Sequence, residues 1–213
     1  MPVPYWLNRK PFNRRAHGER RGNLDNVCLV VKDVGAESFY RYETSEALVK
    51  KLKSDPSAPE ILYLKGDLSQ SDLARLYSAC DALVHPYRAE GFALPVLEAI
   101  ACGKPVIVTA GGSTDDFVSH SAGWKIPARV KYFESDRVGS DPTVSLPWWL
   151  EPDASELSKL IKEIASEKQV LWKQGTSRRS ALGWTWGRSS SVVENRVREL
   201  RARIPVRFQK SNG

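Results

Sequence analysis

From residue 26 onward, short apolar runs alternate with amphipathic stretches. The runs 26–31, 60–64, 82–84, 105–108 and 123–126 have strand length, and 26–31 is rich in β-branched residues. Between them the spacing changes to that of helices. Segment 45–52 is amphipathic with Ser45 as N-cap, and Ser69 or Ser71 can cap a helix running to Ala79 with Leu73, Leu76 and Tyr77 on one face. A helix over 94–101 is followed by Gly103 as a stop signal. A short helix near 115–118 precedes the last strand. Residues 157–164 set Leu157, Leu160, Ile161 and Ile164 on one stripe. Segment 184–203 carries Val192, Val193 and Val197 among Arg196, Arg198, Arg201 and Arg203, and reads as a basic amphipathic helix. Residues 129–152 hold Pro142, Pro147 and Pro152, follow neither period and read as an extended excursion.

Strands that alternate with helices, and that are apolar throughout, describe a parallel sheet covered on both faces. The expected fold is α/β, a Rossmann-like parallel sheet of four or five strands with flanking helices. Three parts are expected: a basic, disordered or loosely attached arm over 1–22, a partial nucleotide-binding domain over 23–183, and a basic helix and tail over 184–213. No run approaches the ~18 apolar residues of a membrane helix, and the N-terminus has no signal-peptide pattern. Cys28, Cys80 and Cys102 are too scattered for a disulfide framework or a zinc site. A reducing cytoplasm is the expected compartment.

The formal charge of +7 invites a nucleic-acid reading until its distribution is considered. Residues 1–22 carry six basic against one acidic residue, and 171–213 carry ten against two. The middle, 23–170, has 16 basic and 22 acidic residues. The surplus belongs to the two ends, which argues against a nucleic-acid partner for the domain. The basic tail leaves peripheral contact with an anionic membrane surface open.

In an open parallel sheet, ligands bind where strand ends meet helix starts. The loop His85-Pro-Tyr-Arg-Ala-Glu-Gly-Phe-Ala-Leu-Pro-Val-Leu-Glu98 is such a place. Gly91 permits a turn with close backbone approach. Pro95 suits the first turn of a helix. The free N–H groups there, with the helix dipole, favour an anion. Glu90 and Glu98 flank that start. Carboxylates do not grip phosphate, but they accept paired hydrogen bonds from sugar or ribose hydroxyls. A helix start for a diphosphate beside carboxylates for sugars amounts to a nucleotide-sugar site; a surface ion pair is the plainer account of two glutamates.

The surrounding string is more specific than the pair. Asp72-Leu-x-x-Leu-Tyr-x-x-Cys-Asp-Ala-Leu-Val-His-Pro86, Glu90-Gly-Phe-x-Leu-Pro-x-Leu-Glu-Ala99, Ala101-Cys-Gly-x-Pro-Val-Ile-Val-Thr109 and Gly111-Gly-x-x-Asp115 resemble the C-terminal, donor-binding domain of GT-B glycosyltransferases of the group 1 (family 4) type. The resemblance implies hexose transfer from a UDP- or GDP-linked nucleotide-sugar with retention, to an acceptor it does not identify, without a metal or other cofactor. It assigns Glu90 to hydroxyls of the donor sugar as the catalytic residue and Glu98 to the ribose. Backbone around Gly91, Phe92, Ala93 and Leu94 would face sugar and diphosphate. Lys65 and Gly66 fall where the nucleobase lies, and His85, Gly111 and Gly112 border the donor. The family's Gly-rich first strand, followed by an Arg and a Lys that clamp the diphosphate, has no match in residues 1–30. The expectation is therefore a donor half, truncated or served by a separate acceptor-binding domain or chain. The alternatives are a catalytically inactive nucleotide-sugar-binding module or subunit, and an anion-binding protein using its basic ends.

Several residues have plainer readings. Asp115 serves either the donor or a helix N-terminus. Lys32 and Lys65 supply charge to a phosphate or are simply solvated. Trp148–Trp149 and the pair Trp184 and Trp186 suggest carbohydrate stacking, but packing against the sheet is the preferred reading. His17 and His120 lack ligand spacing.

Overall fold

A computed structural model describes residues 5–9, 27–34, 46–166 and 169–203. Its strands are β1 (Tyr5–Arg9), β2 (Val27–Asp33), β3 (Glu60–Lys65), β4 (Ala82–His85), β5 (Val106–Thr109), β6 (Gly123–Ile126), β7 (Ala128–Tyr132), β8 (Arg137–Val138), β9 (Asp141–Pro142) and β10 (Trp148–Pro152). Its helices are α1 (Glu46–Lys53), α2 (Gln70–Ala79), α3 (Leu94–Ala101), α4 (Ala154–Ser166), α5 (Gln169–Ala181) and α6 (Trp186–Arg203). A single 3-10 turn spans Ser113–Asp116, where a short helix was expected.

Six strands form one sheet in the order β3-β2-β1-β4-β5-β6. The pairs β2–β3, β4–β5 and β5–β6 are parallel. β1 lies between β2 and β4 and is antiparallel to both. This corrects the reading of 1–22 as a disordered arm without a strand: residues 5–9 sit at the centre of the sheet, and the other residues of that arm lie outside the described ones. Tyr-Trp-Leu-Asn-Arg is too short and mixed to announce a strand. Unpaired N–H and C=O groups on β2 and β4 need a partner, and any extended segment can supply one. Because β1 opposes both neighbours, β2 and β4 run the same way. The C-terminal ends of β2 to β6 therefore share one edge of the sheet.

Helices cover both faces. On one face Leu83, Val106 and Val108 pack with Tyr77, Val96 and Ile100 from α2 and α3. On the other, Ala82, Val84, Ile107 and Ile126 pack with Leu157, Leu160, Ile161 and Ile164 of α4. β4 and β5 are buried at every residue, so neither shows the alternation of a half-exposed strand. Ser69 rather than Ser71 is the N-cap of α2, accepting from the Asp72 amide at 3.1 Å. The alternative cap Ser45 on α1 lies outside the described residues. Gly103 follows α3 at φ +75°, the left-handed position its place after the helix requires.

The excursion over 129–152 is more regular than its sequence. β7 and β10 pair antiparallel, with Trp148 opposite Tyr132 and Leu150 opposite Val130. β8 and β9 form a small ladder at the tip. α5 lacks a clean apolar stripe and is anchored by polar side chains instead. Lys173 donates to the carbonyls of His120 and, at 3.0 Å, Gly123, and sits over the Trp124 ring at 4.7 Å. Gln174 donates to Asp81 O at 3.0 Å and Thr176 to Ser121 O at 2.8 Å. Among the described residues, no helix is long and apolar enough to cross a membrane.

Candidate functional site

β4 ends at His85, which is 1% exposed, and the chain turns through 86–93 into α3 at the sheet's C-terminal edge. Tyr87 fixes this turn. Its hydroxyl lies 3.1 Å from Thr109 O, to which it donates, and 2.8 Å from Thr114 Oγ1, while Thr109 Oγ1 donates to Tyr87 O at 2.6 Å. The loop after β4 is thereby tied to β5 and to the 3-10 turn. Tyr87 also explains Gly112: a Cβ there would stand 2.6 Å from Tyr87 Cε2. Gly111 has φ +83° and donates its amide to Asp115 Oδ2 at 2.9 Å. Asp115 in turn pairs with Lys125 at 2.7 Å. The 3-10 turn and an ion pair thus hold the Asp115 carboxylate.

Glu90 is nearly buried, its side chain 9% exposed, and His85 Nε2 lies 3.2 Å from its Oε1. Burial pushes the His85 pKa below the usual imidazole value, against the pull of the Glu90 carboxylate. A neutral ring that donates through Nε2–H to Glu90 leaves Nδ1 as a buried acceptor, and Nδ1 has no partner among the described residues. His85 thus holds Glu90 from behind and sets which way its free oxygen points. Glu98, one turn into α3, accepts from the Tyr77 hydroxyl of α2 at 2.8 Å. Burial, then the Glu98 charge, drives the Tyr77 pKa far up, so the phenol keeps its proton and remains a donor.

The start of α3 carries the strain of the site. Gly91 does not take the left-handed conformation; Ala93 does, at φ 66° and ψ 58°, and is 3% exposed. A left-handed residue other than glycine costs about 1–3 kcal/mol and concentrates at functional loops. A Cβ on Gly91 would meet nothing within 4 Å, so the space beside it is open. Val96 and Leu97 donate to Ala93 O. Among the described residues, the amides of Gly91, Phe92, Ala93 and Leu94 donate to none. They form a small positive pole between the two carboxylates. Phe92 leans away from it, 5.2 Å from Phe117 and 5.7 Å from Trp184.

The other expected residues stand further off. Lys65 and Gly66 end β3 on the same edge of the sheet, three strand spacings from β4, or about 14 Å. Lys65 makes a half-exposed ion pair with Glu46 at 2.9 Å. Gly66 donates to Asp33 O at 3.0 Å, and its carbonyl accepts from the buried Lys32. His85, Glu90, Gly91–Leu94, Glu98, Gly111 and Gly112 are thus brought into one region, with Lys65 and Gly66 at its far end. Tyr77 and Tyr87, which hold this region in place, gave no functional signal in the sequence; their roles arise from contacts across 21 and 22–27 residues. An open hollow of about 610 Å³ lies behind the loop, lined by Pro86, Ala89, Pro152, Leu157 and the Arg88–Glu151 pair; neither candidate glutamate lines it.

Residues 22–131 match the family model described as glycosyl transferases group 1. The chain is 28% identical over 186 residues to a putative glycosyltransferase 45 of Sulfolobus islandicus filamentous virus, covering 85% of this chain and 49% of that protein. It is 30% identical over 140 residues to the Escherichia coli O-antigen chain mannosyltransferase B, covering 66% and 34%. It is 39% identical over 93 residues to a Frankia alni D-inositol 3-phosphate glycosyltransferase, covering 44% and 23%. Among solved structures, a Thermosynechococcus elongatus sucrose-phosphate synthase aligns with TM-score 0.57 at 22% identity, over 82% of this chain and 38% of that one. Anabaena HepE in complex with UDP-glucose aligns with TM-score 0.53 at 16% identity, over 82% and 40%. The chain spans half or less of the length of each of these relatives. Its match over residues 22–131, the α/β sheet and the strand–loop–helix at residues 82–101 together identify it: the chain belongs to the group 1 glycosyltransferases and has the fold of the C-terminal half of a GT-B protein.

Proposed function

We propose that this chain is the donor half of a retaining glycosyltransferase and binds a UDP- or GDP-linked hexose at the start of α3. The observation that carries this reading is the arrangement of two oriented carboxylates around unengaged backbone donors. Glu90 is held by His85, Glu98 by Tyr77, and the amides of Gly91 to Leu94 lie between them. Glu98 accepts the ribose hydroxyls. The amides take the diphosphate, where each charge-assisted hydrogen bond contributes about 1.5–3 kcal/mol. Glu90 accepts hydroxyls of the sugar and holds its anomeric carbon toward the acceptor, which makes it the catalytic residue of this half. The diphosphate leaves against the helix start, and stabilising that leaving charge is the largest catalytic effect expected.

The acceptor-binding half is supplied by a separate domain or chain. One of the structural neighbours is a two-component assembly, the GtfA/B complex. α6 fits such a partner: none of its residues is buried, and Trp186, Val193, Val197 and Leu200 form an exposed stripe along it. The second reading, a binding module without catalysis, rests on the family's Gly-rich strand followed by an Arg and a Lys having no sequence match in residues 1–30.

Calorimetric titration with UDP-glucose and GDP-mannose tests the first step. Binding that Glu98→Ala weakens at least tenfold supports the site; equal binding by the variant overturns it. Turnover of the bound donor by the isolated chain separates the two readings.

A further inference from the structure

The ribbon of β7 and β10 has two unlike faces. Residues directly opposite in an antiparallel pair project to the same side, and side chains alternate along each strand. One side therefore carries Arg129, Lys131, Trp149 and Glu151, and its charges engage one another. Glu151 accepts from Arg88 at 2.9 Å and from Trp149 Nε1 at 3.1 Å, and lies 4.0 Å from Lys131. Trp149 packs edge-on to Phe133 at 4.9 Å. The other side carries Ala128, Val130, Tyr132, Trp148, Leu150 and Pro152, with no charge.

That neutral side is anchored at one end and open at the other. Leu150 is 6% exposed and packs in the main core, with its Cδ2 3.9 Å from where a Cβ on Gly111 would lie. Its amide donates to Arg88 O at 2.8 Å, two residues before Glu90. Val130, directly opposite Leu150, is 51% exposed, and two residues further out, about 7 Å along the strand, Trp148 is 55% and Tyr132 60% exposed. Two exposed aromatic residues thus occupy opposed positions on the face that carries Leu150 beside the Gly111 loop, and Trp148 lies on the strand hydrogen-bonded to the Glu90 loop.

We propose that Trp148 and Tyr132, with Val130, form a stacking platform for a neutral pyranose ring, the part of an acceptor glycan nearest the donor. The inference rests on the transferase reading above. A pyranose has a C–H face that buries against aromatic rings and hydroxyls at its rim, which suits a flat, uncharged surface with one phenol O–H as a polar handle. A charged ligand finds no partner here, since the cations of the ribbon lie on the opposite side. Leu150, on the same face, packs beside Gly111 and so ties the platform to the loop that borders the candidate donor site.

Saturation-transfer NMR on the intact chain tests this, with α-mannobiose and maltotriose as neutral probes and UDP-glucose as the donor probe. At least one neutral sugar is expected to receive saturation on its ring C–H protons, reduced fivefold or more in Trp148→Ala and in Tyr132→Ala. UDP-glucose signals should be unchanged in both variants, and all signals should be unchanged in the control Leu182→Ala. Equal sugar signals in parent and Trp148→Ala, or none from either sugar while UDP-glucose binds, overturn the platform. Concentration-dependent dimerisation abolished by Trp148→Ala overturns it too, in favour of a second copy as occupant. Loss of the UDP-glucose signal alone, with Trp148-dependent sugar binding retained, refutes the donor reading and leaves the platform standing.

Discussion

α3 and α6 are opposite cases of a helix. α3 has eight residues and buries Val96, Ala99 and Ile100 completely. α6 has 18 and buries none. Nothing on the described surface shields α6; it is supported by its own side chains, with Arg198 to Glu194 at 2.6 Å and Arg196 to Glu199 at 3.0 Å. Such exposed pairs contribute only about 0.3–0.5 kcal/mol each. α3 needs no such pairs, because its apolar face is locked between the sheet, α2 and α5. The helix that presents the candidate site is therefore rigid by packing, while the longer helix depends on local interactions and has a face to spare.

That contrast can be broken from the packed side first. Leu83→Ala removes a fully buried side chain from β4, beneath α3, and should cost about 2–5 kcal/mol, read as a lowered urea midpoint. Breaking the buried His85–Glu90 contact comes next. His85→Leu should cost roughly 1.5–3 kcal/mol, because a carboxylate loses its donor. The same ring predicts a pH effect. Burial holds the folded His85 below its ordinary value, so as pH drops below about 6.5 the unfolded chain binds a proton that the folded chain resists. Stability should be full above that pH and fall as pH drops below it. The slope of urea midpoint against pH should flatten in His85→Leu; an unchanged slope would assign the effect elsewhere. The depressed carboxyls of Asp153 and Glu151 act only at lower pH.

Tyr77→Phe sharpens the comparison at the site itself. It removes the donor that orients Glu98 but keeps the ring in the core. A loss of about 0.5–1.5 kcal/mol predicts up to about tenfold weaker binding of UDP-glucose with little change in fold, measured by calorimetry beside a thermal melt. The smallest effect belongs to α6. Glu194→Gln should shift stability by no more than about 0.5 kcal/mol, seen as slightly lower helicity at the same melting temperature.

Most of the sheet was legible in the chain. β2 to β6 are apolar runs, and that made them visible; β2, β4 and β5 are buried nearly throughout, β3 and β6 only in part. The site loop was legible as well, because His85 to Glu98 is continuous and its string is specific. Gly91 was read for its turn, yet the strained residue is Ala93; φ at a given position depends on how α3 docks, and composition does not report that. The tryptophans divided in a way the sequence left open. Trp184 packs on Phe92 and Phe117, whereas Trp148 and Trp186 are exposed. α5 escaped detection because it is held by Lys173, Gln174 and Thr176 reaching carbonyls of distant loops, which leaves no periodic apolar stripe.

The sequence alone determined the alternation of β2 to β6 with α1 to α3, the switch from strand to helix at residues 82–101, and the Glu90–Glu98 pair. These follow from local periodicity and from residues close along the chain. Only the tertiary structure decided that Tyr5–Arg9 fills the centre of the sheet in reverse, that His85 and Tyr77 aim the two carboxylates, and that one side of the β7–β10 ribbon is neutral and open. Each of those depends on a strand or side chain finding its partner across a distance in sequence, where pairing and burial, rather than local propensity, set the outcome.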